Sequence, residues 1–107
     1  MDKAALDKIT YGLFVSGIKD DSWFGGCLVD AFMQVTLVPP TAVYASMLKN
    51  RTTELLRPGV RFSMSVLPED VSPFVICNFG FQSSRKLDKW ANVPHKMVAG
   101  LPVLEDI

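Results

Sequence analysis

Between Ile9 and Ile18 the chain reads ITYGLFVSGI, a run of β-branched and aromatic residues that ends in the polar cluster Lys19-Asp20-Asp21-Ser22. That combination predicts a strand followed by a turn. A second strand is expected from Trp23 to Val29, where the paired Gly25 and Gly26 mark a bulge or a place where another group approaches the backbone. Asp30 to Pro40 reads as an extended piece stopped by Pro39-Pro40, which can neither donate ladder hydrogen bonds nor continue a helix. Thr41 to Leu48 makes a third strand. A short helix then begins in Lys49-Asn50-Arg51-Thr52-Thr53, is backed by Leu55 and Leu56, and closes at Pro58-Gly59. From Arg61 to Leu67 the period is two, with Phe62, Met64 and Val66 alternating with Arg61, Ser63 and Ser65.

After Pro68-Glu69-Asp70 a second helix is expected over Ser72 to Asn78, with Pro73 in its first turn and Phe74, Val75, Ile76 and Cys77 as its buried material. Phe79 to Ser83 reads as a loop. Ser84 is placed to cap a third short helix, Arg85 to Trp90, and Asn92 to Val98 is extended before Gly100-Leu101-Pro102. Strands with short helices between them predict a mainly β fold, an antiparallel barrel with helical insertions in place of a regular βαβ array.

A length of 107 residues fits one domain over 1–107, and 49% hydrophobic against 21% charged residues is enough apolar material for one core. Eleven basic and eleven acidic side chains cancel, so no overall field draws the molecule to nucleic acid or to an anionic membrane. Asp2, Lys3, Asp7 and Lys8 interrupt any secretory core, and no apolar run is long enough to span a bilayer, so a cytoplasmic protein is expected. Cys27 and Cys77 form no C-x-x-C pair and read as reduced, buried thiols.

Candidate chemistry concentrates in two polar runs. Lys49 to Thr53 brings cations, an amide and hydroxyls to a helix start, where backbone N–H groups lack partners and phosphate binds readily. Lys49 and Arg51 lie where the helix dipole disfavours positive charge unless an anion offsets it. Gln82-Ser83-Ser84-Arg85-Lys86 repeats the pattern. For each run the alternative is an ordinary helix cap with solvated neighbours, and local sequence leaves both readings open. His95 stands alone and reads as a surface residue, whereas Trp23, Phe24, Phe79, Phe81 and Trp90 either build the core or stack on a flat ring. No hydrolase triad or paired-carboxylate motif is present, which leaves room for chemistry supplied by a cofactor.

Five ordered blocks, ITYGLFV, FMQVTLVPP, KNRTTELL with RFSMSVL, NFGFQSSRKLDKW and AGLPVLE, resemble flavin-reductase-like proteins, most closely the flavin domain of high-molecular-weight rubredoxins. The resemblance runs nearly end to end. It implies an FMN-binding split β-barrel, shortened at its C-terminal end because family members continue past Gly100-Leu101-Pro102 with further barrel strands. It also implies a homodimer with the flavin near the subunit interface, NADH or NADPH as electron donor, and free flavin, rubredoxin or another small acceptor to take the electrons. Carried over by position, Lys49, Asn50, Arg51 and Thr52 look like the phosphate segment. Ser83, Arg85 and Lys89 fall in the second flavin-proximal loop, and Val29 to Gln34, including Asp30 and Ala31, lies where the chain meets the isoalloxazine ring. Asp30-Ala31 replaces the usual Asn-Thr, and Ser83-Ser84-Arg85-Lys86 replaces Ser-Gly-Arg-Asp. These departures keep a second reading open, a degenerate binding or dimerisation module without flavin.

Overall fold

Phe14–Lys19 (β1) is the central strand of a three-stranded antiparallel sheet in the computed structural model, which describes residues 3–6 and 12–105. Phe24–Val29 (β2) flanks it on one side and Phe62–Val66 (β5) on the other. Two further hairpins complete the strands: Phe32–Thr36 (β3) with Thr41–Tyr44 (β4), and His95–Val98 (β6) with Leu101–Leu104 (β7). The helices are Lys3–Leu6 (α1), Arg51–Leu55 (α2), Pro73–Gly80 (α3) and a 3-10 turn at Lys89–Asn92. The mainly β expectation holds. Of the first expected strand, residues 9–11 lie outside the described residues.

β1 is covered on both faces, so Val15, Ser16, Gly17 and Ile18 are all buried and no alternation shows. β2 follows through a turn closed by Asp20 N donating to Trp23 O at 3.1 Å. The third expected strand, Thr41 to Leu48, is shorter than its sequence suggests. After the last rung, Ala45 N to Ala31 O, the Thr53 hydroxyl donates to Met47 O and turns the chain into α2.

In β5 the covered side is the serine side. Ser65 is buried, whereas Phe62 and Val66 are exposed. Alternation tells which residues share a face but not which face is covered. The serines face β7: Ser65 Oγ accepts from Leu104 N at 3.1 Å, and the Ser63 hydroxyl donates to Pro102 O. β7 itself was not expected, because Pro102 argues against a strand. The two-residue turn at Ala99-Gly100 makes Val98↔Leu101 the hydrogen-bonded closing pair, so Pro102, opposite Met97, occupies a position where a missing N–H costs nothing.

α3 also turns differently from its expected burial. Ser72 caps it by accepting from Phe74 N at 3.2 Å, with Pro73 at the first position, but Phe74 and Cys77 are exposed. Val75, Asn78 and Phe79 share the inward face at helical spacing. Phe79, expected in a loop, belongs to this helix and packs its ring 4.8 Å from Trp90. Val15, Phe79, Trp90, Val93 and Leu104 form the core. The expected helix Arg85–Trp90 is replaced by a turn and then the 3-10 segment, capped by Asp88 Oδ1 accepting from Trp90 N. Ser84 is buried and caps nothing. His95 is half-buried, its ring 5.6 Å from Trp90 and its Nδ1 donating to Val93 O at 3.0 Å.

The β3–β4 hairpin leaves Met33, Val35, Leu37, Val38 and Val43 exposed, an apolar face too continuous to be scatter.

Ala99 has φ 51° and Gly100 φ 83°, the pair of positive values a two-residue hairpin turn requires. Alanine is unsuited to the first. Ala99→Asn should raise the unfolding free energy by about 0.5–1 kcal/mol, read by urea denaturation, and an unchanged midpoint would show that the turn is not left-handed at Ala99.

Candidate functional site

The largest recess, about 600 Å³, is floored by Gly26, Cys27 and Leu28 of β2. One wall is Met47 and Lys49–Thr52, the approach to α2, and the other is Phe79–Ser84 with Lys89. Three segments far apart in sequence therefore meet over one strand. Among the described residues its lining includes Lys49, Arg51 and Lys89 and no carboxylate. A smaller recess of about 80 Å³ adjoins it through Cys27, Leu28, Met47 and Asn50, and holds Val29, Asp30 and Tyr44.

The sequence-predicted residues divide accordingly. Lys49, Asn50, Arg51, Thr52, Ser83 and Lys89 line the groove, and Val29 and Asp30 line its extension. Ala31 and Gln34 lie outside both. Ala31 O accepts from Ala45 N at 2.9 Å, and the exposed Gln34 donates from Nε2 to Thr36 O at 3.2 Å. Arg85 faces a third recess of about 340 Å³, formed by Asp20–Trp23, Arg51, Ser84 and Arg85.

Asn50 precedes α2 with extended backbone and no side-chain cap, which removes the plain capping reading of that run. With five residues, however, α2 is too short for its dipole to do much for an anion. What remains is side-chain chemistry: the ammonium of Lys49, the amide of Asn50 and the hydroxyls of Thr52 and Ser83.

Arg51 and Arg85 are already engaged. Arg51 Nη2 lies 2.8 Å and Nε 3.0 Å from the Asp20 carboxylate, and Nη1 donates to Glu54 at 2.8 Å. Arg85 Nη1 donates to Glu54 Oε2 at 2.9 Å, with Nη2 on Oε1. The Arg85 and Arg51 guanidiniums hold the Glu54 carboxyl down at about 2, and Arg51 lowers that of Asp20. Both arginines are shifted upward, Arg51 chiefly by Asp20 and Arg85 by Glu54. Two cations balance two anions, and the pairs tie the β1–β2 turn, α2 and the loop at Ser83–Lys86 together.

At the other end, Cys27 Sγ lies 3.3 Å from Ser16 Oγ and 3.6 Å from the Tyr44 hydroxyl, which donates to Ser16 Oγ at 3.4 Å. Burial pushes Tyr44 up to about 12, so the phenol beside the groove is neutral at ordinary pH. Cys27 is buried as expected, but Cys77 is exposed on α3. Tyr44 was not singled out from sequence: nothing local marks a strand tyrosine as the one that closes a recess.

A family model described as flavin reductase like domain matches residues 6–107. The chain belongs to the flavin reductase-like family. It is 37% identical to a high molecular weight rubredoxin of Moorella thermoacetica over 99% of this chain and 47% of that protein. It is 34% identical to an NADH-dependent flavin reductase of Pseudomonas fluorescens over 88% of this chain and 56% of that one. The chain thus spans about half the length of these curated relatives. Among solved structures, the styrene monooxygenase flavin reductase of Pseudomonas putida S12 superposes with TM-score 0.75 at 29% identity, covering 96% of this chain and 64% of that one. An NADH:FAD oxidoreductase of Streptomyces globisporus superposes with TM-score 0.83 at 18% identity, over 97% and 62%, a likeness of fold. The architecture of this flavin reductase-like chain is the split barrel of those structures.

The family departures have local explanations. Ser84, where glycine is usual, is buried and uses its hydroxyl on both the N–H and the carbonyl of Gly26, at 3.1 and 3.0 Å. Asp30 and Ala31 are both exposed, and neither lines the main groove, Asp30 lining only its small extension.

Because Glu54 titrates in the folded chain at about 2 against an ordinary 4.5, its pairing contributes above 4.5 and is lost as pH falls through about 2. A carboxyl-detected NMR titration should place Glu54 near 2, with Arg85→Ala raising it, Arg51 still holding it below its ordinary value. A midpoint near 4.5 in the unaltered chain would mean the pairs do not form in solution.

Proposed function

We propose that this chain binds FMN non-covalently and serves as the flavin-holding unit of an oxidoreductase that uses NADH or NADPH. The observation that carries the reading is the groove in which side-chain donors from 49–52 and 83 face the backbone floor at Gly26–Leu28, with no carboxylate among the described lining residues. Its volume of about 600 Å³ suits a cofactor. The donor set suits a phosphate: Lys49 supplies charge without an ion-pair partner among the described residues, and Asn50, Thr52 and Ser83 supply directional donors.

The flavin, when bound, supplies the redox chemistry by accepting an electron pair from the nicotinamide nucleotide and passing electrons on. The chain's residues bind, orient and exclude water. Phe79 and Gly80 close one wall, Leu28 and Met47 shield the floor, and Tyr44 keeps a neutral phenol at the inner end. No nucleophile or acid–base pair is required. The relative named as a rubredoxin supports a rubredoxin or a similar small carrier as acceptor. The exposed apolar face of β3–β4 supports a homodimer that covers it. Two free thiols fit a cytoplasmic setting.

The reading of a degenerate module loses its main support, because Asp30 and Ala31 do not obstruct the groove. No helix among the described residues is long and apolar enough to cross a membrane.

FMN titrated into the purified protein should show a perturbed absorbance spectrum and quenched fluorescence; no binding at high micromolar FMN sinks the proposal. Lys49→Ala with Asn50→Ala should weaken FMN about tenfold and riboflavin much less, since only FMN carries the phosphate. Equal losses would remove the phosphate from this wall.

A further inference from the structure

Lys89 is 3% exposed, yet it lines the groove. Its ammonium donates to Gly26 O at 2.8 Å and to Phe79 O at 3.0 Å, and it forms no ion pair among the described residues. Carbonyl dipoles solvate a cation without neutralising it, and a buried charge without a counter-ion is held at a cost. Arg51 and Arg85 differ in this respect, since Asp20 and Glu54 cancel them. Lys49 is exposed and screened by water. Lys89 is therefore the fixed positive charge whose field reaches the groove floor through the least water.

Burial lowers the Lys89 ammonium below its ordinary lysine value. The charge that burial disfavours is the charge that a nearby anion stabilises. Asp30 acts in the opposite sense from the adjoining recess, but it is exposed and its field is screened.

Resting on the groove as a flavin site, we infer that Lys89 is a positioning residue that biases the groove toward the negatively charged, two-electron-reduced flavin over the neutral oxidised ring. Transfer of a hydride from a reduced nicotinamide adds two electrons and one proton to the ring, which gains one negative charge while the nicotinamide is oxidised. Lys89 would supply its charge to that site from the groove wall, beside the Gly26 peptide. Its ammonium and the Ser84 hydroxyl both hold the Gly26 carbonyl, at 2.8 and 3.0 Å, and with the bond to Phe79 O this keeps the cation in place at the edge of the floor.

The test compares oxidised FMN with dithionite-reduced FMN, bound anaerobically to the full chain and followed by calorimetry. The unaltered chain should bind the reduced form about tenfold more tightly. Lys89→Gln, which retains N–H donors for the two carbonyls and removes the charge, should bring the ratio close to one, and Lys89→Arg should keep it. A purely structural lysine would instead lower both affinities together. Equal affinities in the unaltered chain overturn the inference whether or not any variant folds, as does a preference that survives Lys89→Gln. Binding of neither form overturns the flavin reading itself, and this inference with it.

Discussion

The carbonyl oxygens of Gly25 and Gly26 hold the candidate site to the sheet. Trp90 Nε1 donates to Gly25 O at 3.0 Å, while Lys89 Nζ and the Ser84 hydroxyl converge on Gly26 O, and Gly26 N returns a bond to Ser84. Such an arrangement needs a backbone stripped of side chains. A Cβ on Gly26 would lie 2.9 Å from Trp90 Nε1 and 3.0 Å from both a Phe79 ring carbon and Ser16 O. Four hydrogen bonds, one of them from a charged donor, thus replace the packing that a side chain would give, at roughly 1 kcal/mol each. Through them the loop that carries Ser83 and the helix end that carries Phe79 acquire fixed positions over β2.

A similar device operates on the same face of the sheet, toward β5. Gly17 lets β7 pass so closely that an added Cβ would meet Pro102 at 3.0 Å, and the hydroxyls of Ser63 and Ser65 bond that strand's backbone. The sheet joins its neighbours by polar side chains reaching for peptide groups, with the apolar core of Val15, Phe79, Trp90, Val93 and Leu104 between them.

This explains which parts were legible in the sequence. β1, β2, β5 and the Ser72-Pro73 start of α3 were readable because each follows from local composition or capping chemistry. The paired glycines also announced a close approach of some group, and Trp90, Lys89 and Ser84 proved to be that group. What could not be read was partnership over distance. Arg51 looked like a phosphate cation because nothing in its neighbourhood discloses Asp20, 31 residues away. Lys89 looked like one charge among several in a polar loop, and only its burial sets it apart. The alternation in β5 could not tell that its serine face is the covered one, because the strand that covers it contains a proline and was not expected. Of the residues that line the groove, 49–52, Ser83 and Lys89 were singled out by pattern and resemblance together, whereas Tyr44, in the adjoining recess, needed coordinates.

The paired arginines also bear on how a ligand arrives. With eleven charges of each sign and two of the groove's neighbouring cations cancelled by Asp20 and Glu54, little field extends past a Debye length of about 8 Å in physiological salt. An anionic ligand of the proposed site would not be drawn in from afar, and its encounter rate would fall in the unsteered class. Discrimination would then fall to residence time, through how many of the groove's donors a ligand satisfies.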